Sequence, residues 1–538
     1  MSEKKTSENI ESGLIDFMKR PDTYPHQPEQ VEHVQTHISH VFIAGSYVYK
    51  LKKSVNFDFL DFSTPEKRKF YCQQELKLNR RLTDGIYLEV VSINRSGESY
   101  QLESGNSDSA VEYAVKMKRL SEEYFLHTFI EEDKLSEKHL DRVVSTLTDF
   151  YGSQQPGEEI SSWGSLEKVK YNTDENFSQT KSFIGNTIEK NSWKAIRKYT
   201  NSYFEQNQDL FERRIEEKRI VDGHGDLHLE HIHLAPDAVN IYDCIEFNDR
   251  FRYGDVAADL AFLAMDLDFN QCLKLANYFV EEMAEKLDDS DLTRHINFYK
   301  CYRAFVKGKV KSLQSAESEV GEKGREKASD TAGRYFKLAL RYALLGPVPT
   351  VLIVMGRPAT GKSTLAKQLS RELNIDRFSS DHIRKTIADL PLTRRPEPET
   401  REKLYSREMS AKTYRRLQQE AQSSVATHRS LVLDATYSKK EGRNALIKFL
   451  QSYSCNYYFI EACASDVTIK KRLKDREKAD KSISDARLED FEKLDRYYEP
   501  PQEIRSKHLI KIDTEQSLQK TQDQLYGELL NRNLKKQC

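Results

Sequence analysis

The chain has 538 residues, 38% hydrophobic and 31% charged, with 84 Lys plus Arg against 85 Asp plus Glu for a formal charge of -1. That length exceeds what one hydrophobic core serves, and the balance excludes wholesale disorder and a globally basic surface for nucleic acid. The seven cysteines, Cys72, Cys244, Cys272, Cys301, Cys455, Cys463 and Cys538, are odd in number and form no C-x-x-C pair, so neither a disulfide framework nor a zinc knuckle is expected. The opening MSEKKTSENIESGLIDFMKR lacks the apolar core of a signal peptide, and no run of about 18 apolar residues occurs. A reduced, cytoplasmic protein with no membrane span is expected.

Short β-like runs fill residues 31–120. THISHVFIAG and SYVYKLKK read as a hairpin turning at Gly45, and YLEVVSI and VEYAVKMKRL supply two more strands. Between them EKRKFYCQQELKLNRRL has the spacing of an amphipathic helix. From Tyr124 to Tyr342 the pattern is mostly helical, with a β-like break from Arg219 to Phe247. SAESEVGEKGREKASDTAGR, residues 315–334, is small, polar and charged, so 315–345 reads as a linker or a helical connector. PTVLIVMG then opens an alternation of strands and helices, continued by LVLDA, YYFIEACA and HLIKID at intervals suited to a parallel α/β sheet. Two domains are expected, 1–314 and 346–538, the first α+β and the second α/β.

In the second domain GRPATGKST fits G-x-x-x-x-G-K-[ST], with an apolar strand before it and the helix KSTLAKQLSREL after it. Gly356, Arg357, Pro358, Ala359, Thr360, Gly361, Lys362, Ser363 and Thr364 would wrap backbone N–H groups around phosphate oxygens at a helix N-terminus. Lys362 would reach the β- and γ-phosphates of ATP, and the Ser363 hydroxyl would ligate Mg²⁺. RFSSDHIRK places Asp381 and Arg384 at the end of the next strand. There Asp381 would accept the proton of an attacking hydroxyl, and Arg384 would hold the acceptor or neutralise developing charge. Asp381 also suits a helix cap. SLVLDATYSKKEGR ends a buried strand in Asp434, the Walker B position for a carboxylate near Mg²⁺. The basic IKKRLKDREKADKSISDARLEDF reads either as a lid, with Arg472 or Arg476 closing on the phosphates, or as a solvated helix face.

These motifs make residues 348–538 resemble the P-loop kinases that include polynucleotide kinase and the zeta-toxin-like kinases. The resemblance implies transfer of a γ-phosphate to a hydroxyl and leaves the hydroxyl open.

In the first domain the informative stretch is VDGHGDLHLEHIHL. Its histidines, His224, His228, His231 and His233, lie between strand-like segments with no distant partner set for zinc. His-Gly-Asp before a short loop, then a strand ending in acids, has the layout of a kinase catalytic loop. Asp226 would be the base or orienting carboxylate, and NIYDCIEF would carry the metal-binding acid, either Asp243 or Glu246. Lys50, on a central strand, would hold the α- and β-phosphates, with Glu75 on the following helix as its partner.

That order resembles the aminoglycoside phosphotransferase-like kinases over residues 30–315, and DCIEFNDRFRYGDVAADLAFLAMDL resembles the subgroup fused to a P-loop kinase. The resemblance implies a bilobal protein-kinase-like fold with an ATP cleft, and a bifunctional chain. It places Asn, as a metal ligand, five residues after the catalytic Asp; His231 stands there, after a bulky Glu230. The expected activity is an ATP- and Mg²⁺-dependent phosphotransferase acting on a small-molecule hydroxyl. The alternatives are a nucleotide-sensing regulatory ATPase with a degenerate kinase-like scaffold, and a nucleic-acid end kinase.

Overall fold

The computed structural model describes residues 12–57, 59–97, 99–105, 109–317, 319–392, 396–477 and 487–537. The chain forms two compact units that are not collinear with the sequence. Unit 1 comprises 1–168, 209–270 and 275–293, and unit 2 comprises 169–208, 271–274 and 294–538.

Unit 1 opens with a six-stranded antiparallel sheet. Its strands are β1 (Val31–Gln35), β2 (Ser39–Ala44), β3 (Tyr47–Lys52), β4 (Tyr87–Ser96), β5 (Ser99–Ser104) and β6 (Ala110–Lys118), in the order β1-β2-β3-β6-β4-β5. The β2–β3 turn is at Gly45, whose φ of 61° suits glycine. Two strands go beyond those read from the sequence, β1 and β5. Both are edges whose side chains are largely exposed, and the few apolar residues that turn to the core, Val31, Tyr100 and Leu102, are too sparse a pattern to announce a strand. In β3 Tyr49 and Leu51 enter a core with Phe42, Val91 and Ala114. Lys50 and Lys52 take the opposite face because side chains alternate along a strand. Helix α1 (Pro65–Asn79) packs against β4 and β6, started by Pro65 and by the Thr64 hydroxyl accepting from the Lys67 N–H.

The β-like break contains β7 (Ile220–Asp222), β8 (Ile232–Leu234) and β9 (Val239–Ile241), followed by β10 (Tyr253–Asp255). β8 and β9 form a hairpin, and β10 pairs antiparallel with β7. The expectation that NIYDCIEF is one strand needs correction. The strand ends at Ile241, and Asp243 has a φ of 61°, which no ladder accommodates. Helix α2 (Val256–Phe269) follows, capped by the Asp255 side chain and buried along nearly its whole length.

Unit 2 contains a five-stranded parallel sheet of β11 (Thr350–Met355), β12 (Asp376–Ser379), β13 (Leu431–Asp434), β14 (Asn456–Cys463) and β15 (Leu509–Asp513), ordered β12-β13-β11-β14-β15. β11 is central and buried at every residue, as expected of a strand covered on both faces. Helices α3 (Lys362–Leu373) and α4 (Ser380–Ile387) start where β11 and β12 end. The stretch 315–345, open to either a linker or a helical connector, is helical from Glu322 to Leu345 and buries Ala332, Phe336, Ala339 and Ala343. That helix packs against the helices Lys190–Gln206 and Leu518–Gln537 of the same unit. Asn533 Nδ2 donates to the carbonyls of Tyr342 at 3.1 Å and Ala343 at 2.9 Å. Unit 2 therefore takes in helices that the sequence groups with the N-terminal domain. Helical periodicity reports that a face is buried and says nothing of what buries it.

Candidate active sites

In unit 2 the loop between β11 and α3 turns on three positive φ angles, Gly356 at 137°, Ala359 at 60° and Gly361 at 94°. A Cβ on Gly356 would come within 2.6 Å of the Ala462 carbonyl oxygen, so that glycine is also a close-approach residue. Ala359 carries strain of about 1–3 kcal/mol, typical of a non-glycine residue held left-handed at a functional turn. Lys362 opens α3, and its Nζ reaches back across the loop to the Arg357 carbonyl at 3.4 Å. The Ser363 hydroxyl donates to Asp434 Oδ1 at 3.2 Å, while Arg377 Nη1 sits 2.7 Å from Oδ2. Burial pushes the Asp434 carboxyl above its usual range, against the pull of Lys362 and Arg377.

Asp381 and Arg384 lie on α4, 3.2 Å apart. The residue before the helix is Ser379 and Asp381 is its second residue, so Asp381 is not the cap. Arg384 is buried, its guanidinium 4.6 Å from the centre of the Tyr405 ring, and its Nε has no hydrogen-bond partner. A buried cationic donor left unmet suits an incoming anion. Arg357 points elsewhere, to Asp466 at 2.8 Å, Asp495 at 2.6 Å and the Ala464 carbonyl at 3.0 Å. Arg472 clasps the loop from behind, reaching Ala359 O at 3.5 Å and Thr514 O at 2.6 Å. The side chain of Arg476 and residues 478–486 of the expected lid lie outside the described residues. Arg443, at the end of the LVLDATYS motif, is wholly buried against Glu503 and the Tyr437 carbonyl and holds the turn after β13.

Unit 1 gathers its charges from distant segments. Lys50 Nζ lies 2.6 Å from Asp243 Oδ1 and 2.9 Å from Glu75 Oε1. Lys52, absent from the sequence reading, lies 2.6 Å from Glu75 Oε2 and also pairs with Glu246. The signal for it was the strand period, since residues 50 and 52 share a face. Glu75 is fully buried, and taking three such ions out of water is tolerable only because each is met by a partner. Burial would push the Lys50 ammonium down and the Asp243 carboxyl up. Their mutual attraction, aided by Glu75 and His231, reverses both shifts. Glu246 is pushed up, burial outweighing Lys52.

The His-Gly-Asp turn hangs from α2. Asp259 accepts from the N–H groups of His224 at 2.6 Å and Gly225 at 2.9 Å, and from the Tyr151 hydroxyl at 2.8 Å. Asp266, two turns along α2, accepts from the Leu229 N–H at 3.1 Å. Gly225 has a φ of 84°, and a Cβ there would come within 2.9 Å of the Phe251 carbonyl oxygen. Asp259 and Asp266 were missed as positioning residues, although acids inside the apolar run VAADLAFLAMDL are a legible signal. His231 Nδ1 is 2.9 Å from the Asp226 carbonyl oxygen and its Nε2 is 3.5 Å from Asp243 Oδ2, while His228 Nε2 is 3.3 Å from Asp226 Oδ2. Burial, with His228 adding to it, lowers the His231 imidazole to about 4. His224 and His233 leave the group, bonding the carbonyls of Tyr242 at 2.9 Å and Ser121 at 3.2 Å. One residue past Glu246 begins a cavity of about 750 Å³, lined by the rings of Phe57, Phe59 and Phe247 and by the polar side chains of Asp61, Asn248 and Arg250.

Residues 351–501 match the family model described as an AAA domain. With the loop geometry above, unit 2 contains a P-loop nucleotide-binding domain of that type. The chain is similar to the uncharacterized protein Rv2004c of Mycobacterium tuberculosis, 29% identical over 409 residues that cover 76% of this chain and 79% of that one. Among solved structures, a choline/ethanolamine kinase family protein from Mesorhizobium loti matches 61% of this chain and 99% of its own, at 10% identity and a TM-score of 0.36. The APS kinase CysC of Mycobacterium tuberculosis matches 34% of this chain and 97% of its own, at 18% identity and a TM-score of 0.26. No helix among the described residues is long and apolar enough to cross a membrane.

Proposed function

We propose that this chain is an ATP-dependent phosphotransferase with two nucleotide sites, each passing the γ-phosphate of ATP to a hydroxyl of a small molecule. The observation that carries the proposal is the grouping in unit 2. A P-loop, the Ser363–Asp434 pair at 3.2 Å, and Asp381 beside a buried Arg384 all lie where the parallel strands end and α3 and α4 begin. The loop N–H groups and Lys362 hold the phosphates, and Arg384 faces the charge on the transferring group. Asp381 takes the acceptor's proton as its oxygen bonds to phosphorus and the bond to ADP breaks. Ser363 and Asp434 offer hard oxygen atoms and so fit Mg²⁺, which when bound offsets phosphate charge.

In unit 1 Lys50, aligned by Glu75, takes the phosphate role, Asp226 the acceptor role, and Asp243 rather than Glu246 the metal role. Asp243 is 38% exposed on its side chain, whereas Glu246 is 5% exposed and held by Lys52. The cavity beyond Glu246, where aromatic rings stand beside Asp61, Asn248 and Arg250, is the place for an acceptor that carries polar groups.

The test is a screen of hydroxyl compounds with γ-labelled ATP on the full chain, Lys362→Ala and Asp226→Ala. Truncation at 314 or 340 would strip helices from unit 2, so point variants serve better. Label in a small molecule, lost in one variant or the other, supports the reading and assigns the site. Release of phosphate alone means a regulatory ATPase, and label on an oligonucleotide end means an end kinase.

A further inference from the structure

We propose that Arg357 is a positioning residue of unit 2, which raises ATP affinity by pinning the P-loop to two helices rather than by meeting the phosphates. The inference rests on the reading of loop 356–364 as the phosphate cradle. Arg357 is the second residue of that loop, and its guanidinium points out of it. Nη1 donates to Asp466 Oδ1 at 2.8 Å and to Asp495 Oδ1 at 2.6 Å, and Nη2 donates to the Ala464 carbonyl at 3.0 Å. Asp466 opens helix α5 (Asp466–Glu477), Asp495 lies on helix α6 (Phe491–Tyr497), and Ala464 follows β14. One cation thus joins the loop to three separate segments.

A second brace is apolar. Ala359, with its φ of 60°, is 4% exposed, its methyl packed with Ile469 and Leu473 of α5 and with Leu488 and Phe491. A non-glycine residue stays left-handed only where its surroundings over-determine it, and these side chains do so. A third brace takes the carbonyls. Arg472 of α5 reaches the Ala359 carbonyl at 3.5 Å, and the Thr514 hydroxyl donates to the Thr360 carbonyl. The N–H and C=O of a trans peptide point in opposite directions, so that bond turns the Gly361 N–H away from Thr514. The Arg357 carbonyl accepts from the Thr360 hydroxyl at 2.8 Å and from Lys362 Nζ at 3.4 Å. Nothing is forfeited there, because the next residue is Pro358, which has no N–H to offer a phosphate.

An exposed ion pair contributes little by itself, and the side chains of Asp466 and Asp495 are 60% and 41% exposed. Arg357 is only 23% exposed and meets two carboxylates and a carbonyl at once, and such networks are where surface charges do contribute. The sheet behind the loop has its own core, β11 and β13 being buried at every residue, so loss of Arg357 is felt in the loop. Backbone donors bind an anion tightly only when they are already aimed, since ordering left to the binding step is subtracted from affinity. Without Arg357 the unliganded loop loosens and ATP binds more weakly. Transfer, carried by Asp381 and Arg384, then proceeds at its own rate once ATP is bound.

Hydrogen exchange on the full chain, read by mass spectrometry with and without ATP, tests this. The proteins are the wild type, Arg357→Met, Arg357→Lys, Asp466→Asn/Asp495→Asn and the triple variant Arg357→Met/Asp466→Asn/Asp495→Asn. Without nucleotide, Arg357→Met should speed exchange in peptides covering 356–364 about tenfold, while the strand Leu431–Asp434 and the unfolding midpoint stay as in the wild type. It should raise the ATP concentration that half-protects the loop by about the same factor, and leave turnover per bound ATP within about twofold. Arg357→Lys should lie between. Arg357→Met should add less than about twofold to Asp466→Asn/Asp495→Asn. Unchanged loop exchange and affinity in Arg357→Met overturn the proposal. So does a loss that persists in full without the two aspartates, which would put Arg357 on the phosphates, and so does a fall in turnover per bound ATP at unchanged affinity. A lower unfolding midpoint with faster exchange throughout unit 2 overturns it as well, leaving Arg357 a residue of the general fold. If ATP protects the loop in no protein, wild type included, the nucleotide reading of unit 2 fails, and the bracing stands or falls on nucleotide-free exchange alone.

Discussion

On the proposed reading, the candidate sites of the two units meet the same demand, holding polyphosphate charge away from bulk water, with different materials. Unit 2 uses backbone: the loop 356–364 is nine consecutive residues, shaped by three positive φ angles and continued by a helix N-terminus. Unit 1 uses side chains, and its Lys50–Asp243 pair joins residues 193 positions apart. The difference is in how damage spreads. Backbone N–H groups survive a side-chain change, so a loss in the loop stays local. Buried ions depend on one another, and removing one leaves its partners unpaired in a medium that penalises them.

The largest effect that would sharpen this contrast is at Asp381. Asp381→Asn should lower phosphoryl transfer by unit 2 about 10²–10⁴-fold, with ATP affinity nearly unchanged, as read by single-turnover kinetics and nucleotide titration. If affinity collapses while transfer per bound ATP survives, Asp381 belongs to the metal side.

A matched pair of lysine variants comes next. Lys52→Met leaves Glu75 and Glu246 without their ammonium and should cost unit 1 about 3–5 kcal/mol in denaturant unfolding. Lys362→Ala should leave the unfolding midpoint in place and cut nucleotide turnover in unit 2 about 10²–10³-fold. Equal unfolding midpoints for the two would break the comparison.

Acidification tests unit 1 more gently. Burial, with Lys53 and His33 adding to it, holds the His40 imidazole of β2 at about 4, below its ordinary 6.5. The unfolded chain binds a proton between those values that the folded chain refuses. Stability from His40 is therefore complete above pH 6.5 and falls as the pH drops towards 4, and His40→Gln should flatten that slope in unfolding experiments.

The smallest change is at His231. With Mg²⁺ as the only metal, His231→Asn should raise turnover at unit 1, by up to about tenfold, the scale on which changes around a metal tune it. A loss as deep as that of Asp226→Ala would mean that His231 itself takes part in turnover.

GRPATGKST was legible from the sequence because its chemistry is local: the strand before it, the glycines and the helix after it all lie within one short window, and the parallel strands announce themselves as apolar runs. Asp434, Asp381 and Arg384 were legible for the same reason, being where a strand stops or a helix starts. The spacing of Lys50, Glu75, Asp226 and Asp243 was recognisable as an order. What that order could not supply was Lys52 sharing Glu75, or Asp243 pairing with Lys50 while Glu246 pairs with Lys52. Those follow from which face of β3 meets α1 and from the chain leaving strand geometry at Asp243, both settled by packing between distant segments. Asp259 and Asp266 under the His-Gly-Asp turn belong to the same class, because an acid in an apolar helix declares only that something must satisfy it. The division into units lay furthest out of reach. The helix Lys190–Gln206 has its apolar stripe in the sequence, but an apolar stripe has no address, and only the tertiary structure set it against Glu322–Leu345 and Leu518–Gln537 in the P-loop unit.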